Sequence, residues 1–213
     1  MRRCYDGAGR RHGPPPGEAA MHERLIREIV SEHEFITRRF FDRNGEQLER
    51  AIALLVRSLQ AGGKLILFGN GGSAATAARI AAKLLGRVER DRPSLPAIAL
   101  ANDSAAVTSI ANDYEYGLVF ARQIEALAAK DDAAVAISIS GHSESVLEGI
   151  RAARERELPV VGLLGREGGR AKELVDVPLV VGAQKAARIQ ELHVLIGHLL
   201  CEAIETEMFF RRD

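Results

Sequence analysis

Short apolar runs alternate with amphipathic segments through most of the chain, and this alternation limits the possible folds more than any other feature. The apolar runs are residues 64–69, 96–101, 133–140, 159–165 and 177–181. The helical segments are residues 73–86, 104–112, 117–129, 143–155 and 186–208. Apolar strands separated by helices are typical of a parallel sheet that is buried on both faces. The sequence therefore predicts a layered α/β fold with ligands at the carboxyl ends of the strands.

Helical periodicity begins upstream of the first apolar run. One stripe consists of Leu25, Ile26, Ile29 and Val30, and a second consists of Leu48, Ile52, Leu55 and Leu59. Residues 43–45, Arg-Asn-Gly, are typical of a turn between two helices. The pattern predicts a helical hairpin over residues 21–61, followed by the α/β core over residues 62–213. Each stripe needs a cover, either a second subunit or the protein's own domain.

The first 20 residues have a different composition. They contain four arginines, a run of prolines at 14–16 and almost no apolar side chains. This composition predicts a disordered tail over residues 1–20. A natural translation start at Met21 explains it as well, and a basic arm that binds nucleic acid is a further alternative.

Charge and cysteine content exclude several classes of function. Lysine and arginine total 29, as do aspartate and glutamate, so the chain has no general attraction for nucleic acid or anionic membranes. Any anion must therefore be bound locally. Cys4 and Cys201 are far apart and form no metal-ligand spacing, and no apolar run reaches the roughly 18 residues of a membrane span. We expect a soluble cytoplasmic protein that does not bind nucleic acid directly.

A glycine-rich turn follows the first predicted strand. Asn70, Gly71, Gly72 and Ser73 connect that strand to the start of a helix. Such a junction offers backbone N–H groups and the positive end of a helix dipole to an anion. Its spacing matches neither the dinucleotide-binding motif nor the P-loop. The segment predicts either an anion site or an ordinary tight turn.

A second junction of the same kind follows the third predicted strand. Ser138, Ser140 and Ser143 are interspersed with Gly141 just before a helix. Hydroxyl groups at a helix start donate hydrogen bonds to a phosphate. A serine-rich helix cap is the alternative. Two such junctions in one sheet favour phosphate binding.

Seven segments in order make the chain resemble the phosphoheptose isomerases of the SIS (sugar isomerase) domain family. The resemblance runs from about Met21 to Phe209. The segments are residues 69–73, 95–100, 110–114, 119–123, 138–143, 188–193 and 197–202.

The resemblance implies the fold, the assembly and the reaction. The fold is an SIS-type three-layer sandwich with a five-stranded parallel sheet flanked by helices. The assembly is a homotetramer with sites at subunit interfaces. The reaction converts sedoheptulose 7-phosphate to D-glycero-D-manno-heptose 7-phosphate through an enediol.

The resemblance also implies roles for individual residues. The hydroxyls of Ser73, Ser138, Ser140 and Ser143 match those that hold the phosphate, and Asp103 matches an aspartate that holds sugar hydroxyls. Asn70, Gly71, Gly72 and Gln190 complete the predicted binding set. Ile139 stands where the family usually has threonine, and His142 stands where it usually has asparagine.

The catalytic positions depart from the family pattern. An enediol reaction needs a base that moves a proton between adjacent carbons, and the family supplies a glutamate and a histidine. His198 occupies the histidine position, but Lys83 occupies the glutamate position. Arg79, one helical turn earlier, replaces a second histidine. The alternative is that Arg79 and Lys83 are solvated surface residues. His142 and His193 are weaker candidates for ligand contact.

Members of the family that bind zinc use four side chains. The matching positions here are Arg79, Lys83, Gln190 and His198. Arginine offers no lone pair, and lysine must lose its proton before it ligates a metal. We therefore predict no zinc and no other cofactor.

Three hypotheses remain open for a protein that binds a phosphorylated sugar. The first is an isomerase that uses His198, with Lys83 or a water in place of the carboxylate. The second is a non-catalytic regulator or assembly protein similar to the replication-initiator-associating relatives. The third is an enzyme for a more anionic sugar, with Arg79 and Lys83 pairing an extra carboxylate or phosphate.

Overall fold

The computed structural model describes residues 16–210, with side chains from Met21 onward. Five strands form one fully parallel sheet in the order β2-β1-β3-β4-β5. The strands are β1 (Leu65–Gly69), β2 (Ala97–Ala99), β3 (Ala133–Ser138), β4 (Val160–Gly165) and β5 (Val177–Val181). The predicted α/β fold with a five-stranded parallel sheet is confirmed.

Six α-helices surround the sheet. They are α1 (Pro16–Gln60), α2 (Gly72–Leu85), α3 (Ser104–Asp113), α4 (Ala121–Leu127), α5 (Glu144–Glu155) and α6 (Ala186–Glu205). The single helix predicted over residues 117–129 is wrong in extent, because a 3-10 turn at Tyr116–Leu118 precedes the shorter α4. The last helix was predicted to reach residue 208, but it changes to a π-helical turn at Thr206–Phe210.

The helices form two layers, one on each face of the sheet. The apolar faces of α1, α2 and α6 pack on one side, and those of α4 and α5 pack on the other. The fit is close at Gly149 of α5, where a Cβ would lie 2.7 Å from the ring of Phe68. Ile66 and Leu67 on β1 are fully buried on opposite faces, which stabilises the fold by about 2 kcal/mol each. The result is a three-layer sandwich.

The N-terminal segment is helical on both sides of a kink, at the position where a turn between two helices was predicted. The backbone of α1 departs from helical geometry only at Asn44, and the Asn44 amide donates a hydrogen bond of 2.8 Å to the carbonyl of Phe40. This bond satisfies a carbonyl that the kink would otherwise leave free. The Arg-Asn-Gly segment therefore interrupts the helix at the predicted position. Of the predicted tail, residues 16–20 begin α1, and residues 1–15 lie outside the described residues.

The two predicted apolar stripes of α1 have different fates. The stripe with Leu48 and Leu55 is buried in the core of its own domain. In the other stripe Leu25 and Ile26 are more than half exposed, and Phe35 nearby is 65% exposed. Only the N-terminal half of α1 therefore presents an uncovered apolar surface. No helix within residues 16–210 has both the length and the apolar character that a membrane crossing requires.

Candidate functional site

The sheet order places the two polar junctions side by side. β1 pairs with β3, and Gly69 at the end of β1 is opposite Ile137. The chain leaves β1 into α2 on one face of the sheet and leaves β3 into α5 on the other face. A crevice opens at such a switch point in doubly wound sheets, beyond the carboxyl ends of the strands.

Asn70 joins the two junctions through its side chain. Its amide nitrogen donates to the hydroxyls of Ser143 at 2.7 Å and Ser145 at 2.8 Å. Its amide oxygen accepts a hydrogen bond of 2.7 Å from the hydroxyl of Tyr116. The loop after β1 is thereby bonded to the start of α5. The sequence analysis missed Tyr116 and Ser145. The only signal for them is that they lie two residues after the family-like segments 110–114 and 138–143.

The loop after β3 holds its hydroxyl groups in place with backbone bonds. Ser138 Oγ accepts from the N–H of Gly141 at 3.0 Å, and Ser140 Oγ accepts from the N–H of His142 at 3.1 Å. Each hydroxyl that accepts such a bond still has its own proton to donate. The oxygens of Ser138 and Ser140 are therefore fixed while their O–H groups stay available to a ligand.

The same loop requires glycine at position 141. Gly141 has φ 67, and a Cβ there would lie 1.9 Å from the carbonyl oxygen of Gly168. The N–H of Ala171 also donates to the carbonyl of Gly141 at 2.9 Å. The segment after β4 thus packs against the loop after β3 and is hydrogen-bonded to it.

The loop after β1 leaves the start of α2 open. Gly71, the N-cap, has φ 55 and offers no side chain to the first turn of α2. Ser73, in that turn, is buried. A Cβ at Gly72 would lie 2.1 Å from the amide nitrogen of Gln190, so the side chain of Gln190 from α6 lies directly against the start of α2. Gly71 makes no side-chain cap to this helix start, which suits it to an anion.

Arg79 and Gln190 share a cavity of about 300 Å³ between α2 and α6. Gly72 and Glu191 also line it. Arg79 is exposed and Gln190 is half-buried. The structure therefore brings Arg79, Gln190 and the predicted anion site into one continuous region.

Lys83 and His198 lie further along the same helix pair. The two helices pack closely at Gly197 of α6, where a Cβ would lie 2.8 Å from the side chain of Ile80 on α2. Lys83 is near Cys201: burial raises the pKa of that thiol to about 12, and the charges of Arg92 and Lys83 partly oppose the rise. Nε2 of His198 is buried and has no hydrogen-bond partner among the described residues.

A buried ion pair fixes the end of α2 that carries Lys83. Arg92 donates to the carbonyls of Lys83 at 2.9 Å and Leu84 at 2.8 Å, and its Nε bonds Glu205 at 3.0 Å. The side chains of Arg92 and Glu205 are almost fully buried. Burial acts to raise the pKa of Glu205, but hydrogen bonds from Val88 N–H and the Arg92 guanidinium outweigh it and lower that pKa. The backbone of Lys83 is therefore held firmly.

Three other candidates have different surroundings. Asp103 caps α3, accepting from Ala106 N–H at 3.0 Å, and lines a different cavity with Leu100. His142 is exposed at the tip of its loop. His193 is 1% exposed, and burial lowers its pKa to about 4, with only partial opposition from the backbone of Leu164. His193 therefore belongs to the core, while the role of Asp103 in sugar binding stays a prediction.

The donor set at the four positions that match zinc ligands does not fit a divalent metal. Arg79 and Lys83 add two positive charges, and only Gln190 and His198 offer lone pairs at neutral pH. Among residues 21–210, no group of three or more His, Cys, Asp or Glu side chains is placed to hold a metal ion. No catalytic step is therefore assigned to a metal here.

Comparison with known proteins identifies the family. The SIS domain model matches residues 30–165. The phosphoheptose isomerase of Nitratiruptor sp. is 44% identical over 185 residues, which cover 87% of this chain and 98% of that protein. The chain belongs to the phosphoheptose isomerase branch of the SIS domain family.

Two solved SIS structures agree with this membership. Phosphoheptose isomerase from Neisseria gonorrhoeae is 36% identical, with a TM-score of 0.81 over 87% of this chain and 99% of that one. Phosphoheptose isomerase from Francisella tularensis is 34% identical, with a TM-score of 0.83 over 87% of this chain and 98% of that one. The resemblance inferred from the sequence motifs is confirmed.

Proposed function

We propose that this SIS protein binds a phosphorylated sugar, with the phosphate between residues 71–73 and 138–143. The observation that carries the proposal is the side chain of Asn70, whose hydrogen bonds to Ser143 and Ser145 hold two donor-rich helix starts together. The hydroxyls of Ser138 and Ser140 and the uncapped start of α2 supply further donors. Similarity to proteins named phosphoheptose isomerase supports a sugar phosphate as the ligand.

The reaction that we propose is the aldose–ketose isomerisation of a sugar phosphate such as sedoheptulose 7-phosphate, at a rate much lower than that of a family member with the glutamate and histidine in place. His198 is the remaining candidate for the base, because its Nε2 is not engaged by another described residue. Lys83 stands where the resemblance places a carboxylate, and a charged ammonium does not accept a proton. Loss of a positioned base costs about 100- to 10,000-fold in rate.

The proposal includes the absence of stoichiometric zinc. Two cations about one helical turn apart oppose a divalent ion at close range. Elemental analysis of the purified protein tests this directly. Zinc at one per subunit would contradict the proposal.

We also propose a homotetramer with its sites near subunit interfaces, in the cytoplasm. The support is the exposed stripe on α1, which includes Leu25 and Ile29. An uncovered apolar helix face of this kind is a typical subunit contact. Light scattering should give a tetramer for the native protein and a smaller mass for Leu25→Gln with Ile29→Gln.

A non-catalytic role is the second candidate function. The observation in its favour is that the hydroxyls of the phosphate site are present while Arg79 and Lys83 occupy the two catalytic-face positions. A regulator would bind sugar phosphate without turning it over. Turnover of sedoheptulose 7-phosphate, measured beside its affinity, separates the two candidates.

The phosphate site is tested by Ser140→Ala with Ser143→Ala. Removing two hydroxyl donors should weaken phosphosugar binding by roughly 3 to 4 kcal/mol, at about 1.5 to 2 kcal/mol for each bond to a charged group. Calorimetry with sedoheptulose 7-phosphate measures the change. Unchanged affinity would contradict the proposed site.

A further inference from the structure

We propose that the ligand carries a second anionic group at the end of its carbon chain away from the phosphate, and that Arg79 and Lys83 bind that group. The inference rests on the phosphate site proposed above. It names the class of ligand: a sugar phosphate that is also an acid or a bisphosphate. A carboxylate and a phosphate offer the same chemistry to these two cations, an anion that accepts hydrogen bonds.

Arg79 and Lys83 take part in none of the salt bridges found within the described part of the chain. The ion pairs there use other arginines and lysines. Lys64 and Lys185, by contrast, pair with carboxylates at 2.6 and 2.8 Å. Like charges four residues apart on a helix destabilise it slightly. A bound anion would relieve that repulsion.

The surrounding cavity has no free acid to oppose an anion. Glu191 lines it beside Arg79, but both of its oxygens are already used. One accepts from the Arg188 guanidinium, and the other bonds His33 Nδ1 at 2.9 Å. Burial acts to raise the pKa of Glu191, yet Arg188 and His33 outweigh it and lower that pKa. The negative charge of Glu191 is therefore compensated, and the charge of Arg79 is not.

The spacing of the two regions suits a sugar chain. Along α2, Arg79 lies six residues after Ser73, which is about 9 Å at 1.5 Å per residue. An extended six-carbon chain with a terminal phosphate also spans roughly 9 Å, given carbon–carbon bonds of about 1.5 Å. The cavity lined by Gly72, Gln190 and Arg79 connects the two ends. The fork of an arginine is well shaped to bind a terminal carboxylate or phosphate.

Two open-chain probes that differ at one end test the inference. They are 6-phosphogluconate, with a carboxylate at C1, and glucitol 6-phosphate, with a hydroxyl there. Calorimetry on the full chain should show 6-phosphogluconate binding about tenfold or more tightly, with a preference that falls as salt is raised. Fructose 1,6-bisphosphate beside fructose 6-phosphate then shows whether a second phosphate is preferred to a carboxylate.

The variant Arg79→Gln with Lys83→Gln should bind both open-chain probes equally, with little change for glucitol 6-phosphate. Arg57→Gln with Lys130→Gln is the matched control. It removes the same two positive charges at a site near the amino ends of the strands, beside Asp131. This variant should keep the preference for 6-phosphogluconate, because the charges lie at the opposite end of the strands from the proposed site. Arg79→Gln alone should lose part of it, and because Arg79 is exposed this variant should fold normally.

The outcomes separate this inference from the proposed function. Equal affinities in the native protein, or a preference that survives Arg79→Gln with Lys83→Gln, would overturn the second anion site and leave the phosphate site intact. Failure of both probes and of sedoheptulose 7-phosphate to bind would overturn the phosphate site, and the inference with it.

Discussion

Restoring the histidine and glutamate that the family resemblance places at positions 79 and 83 is the sharpest test of the proposed weak activity. We predict that Arg79→His with Lys83→Glu will bind zinc and will turn over sedoheptulose 7-phosphate at least about 100-fold faster than the native chain. The substitutions change the charge of this face of α2 from +2 to −1 at neutral pH. They supply the lone pairs that Arg79 and Lys83 lack, beside Gln190 and His198.

The structure indicates that the scaffold will tolerate this change. Arg79 is exposed and Lys83 is half-buried, so their replacement should alter the free energy of unfolding by less than about 1 kcal/mol. The backbone of Lys83 is held by the guanidinium of Arg92. The packing of Ile80 against Gly197 keeps α2 against α6. A new carboxylate at position 83 should therefore occupy the same region as the lysine.

Three measurements decide the result: zinc per subunit, turnover rate and melting temperature. Lys83→Gln with Arg79→Gln is the control, because it removes the cations without adding a base or a metal ligand. If Arg79→His with Lys83→Glu folds normally but gains neither zinc nor turnover, the assignment of these positions to the catalytic face is wrong.

Two further predictions concern stability. Glu205→Gln should lower the free energy of unfolding in urea by about 3 kcal/mol, because it leaves the buried charge of Arg92 without its partner; a loss below 1 kcal/mol would contradict this account of the pair. His193 should make the fold acid-sensitive, since its pKa of about 4 in the folded state is below the value of about 6.5 in an unfolded chain. The contribution of neutral His193 to the free energy of unfolding is complete above pH 6.5. It falls by about 3 kcal/mol as the pH drops to 4, because the unfolded chain binds the proton more readily. His193→Met should flatten that part of the stability profile, and an unchanged profile would argue against it.

The strands were predictable because burial on both faces leaves continuous apolar runs in the sequence. The limits of β3 were not, because its end at Ser138 depends on the bond from Gly141 N–H to the serine hydroxyl. The Arg-Asn-Gly segment indicated a break between two helices, and α1 does break at Asn44, but the bond from the Asn44 side chain to the carbonyl of Phe40 could not be predicted. Local composition does not encode such single bonds.

The candidate site was predictable where several small polar residues follow a strand, as with Ser138 and Ser140. Tyr116 was not predictable, because its hydrogen bond to Asn70 spans 46 positions and depends on how the chain folds back. The role of Asp103 came from its match to the family, and it stays a prediction: the structure shows Asp103 as the cap of α3, lining a cavity with Leu100.

The bonds from Asn70 to Ser143 and Ser145 join segments that lead to opposite faces of the sheet. A ligand held between these segments would be a cross-link between the two helical layers, and it would have to leave before the layers separate. Occupancy should therefore be visible as heat resistance of the whole chain. At a concentration 100 times its dissociation constant, a ligand stabilises the folded state by about 2.7 kcal/mol. For a chain of this size that corresponds to a rise of roughly 5 to 10 °C in melting temperature. A melting screen of phosphorylated sugars and sugar acids is thus a practical way to find the natural ligand without assuming any reaction.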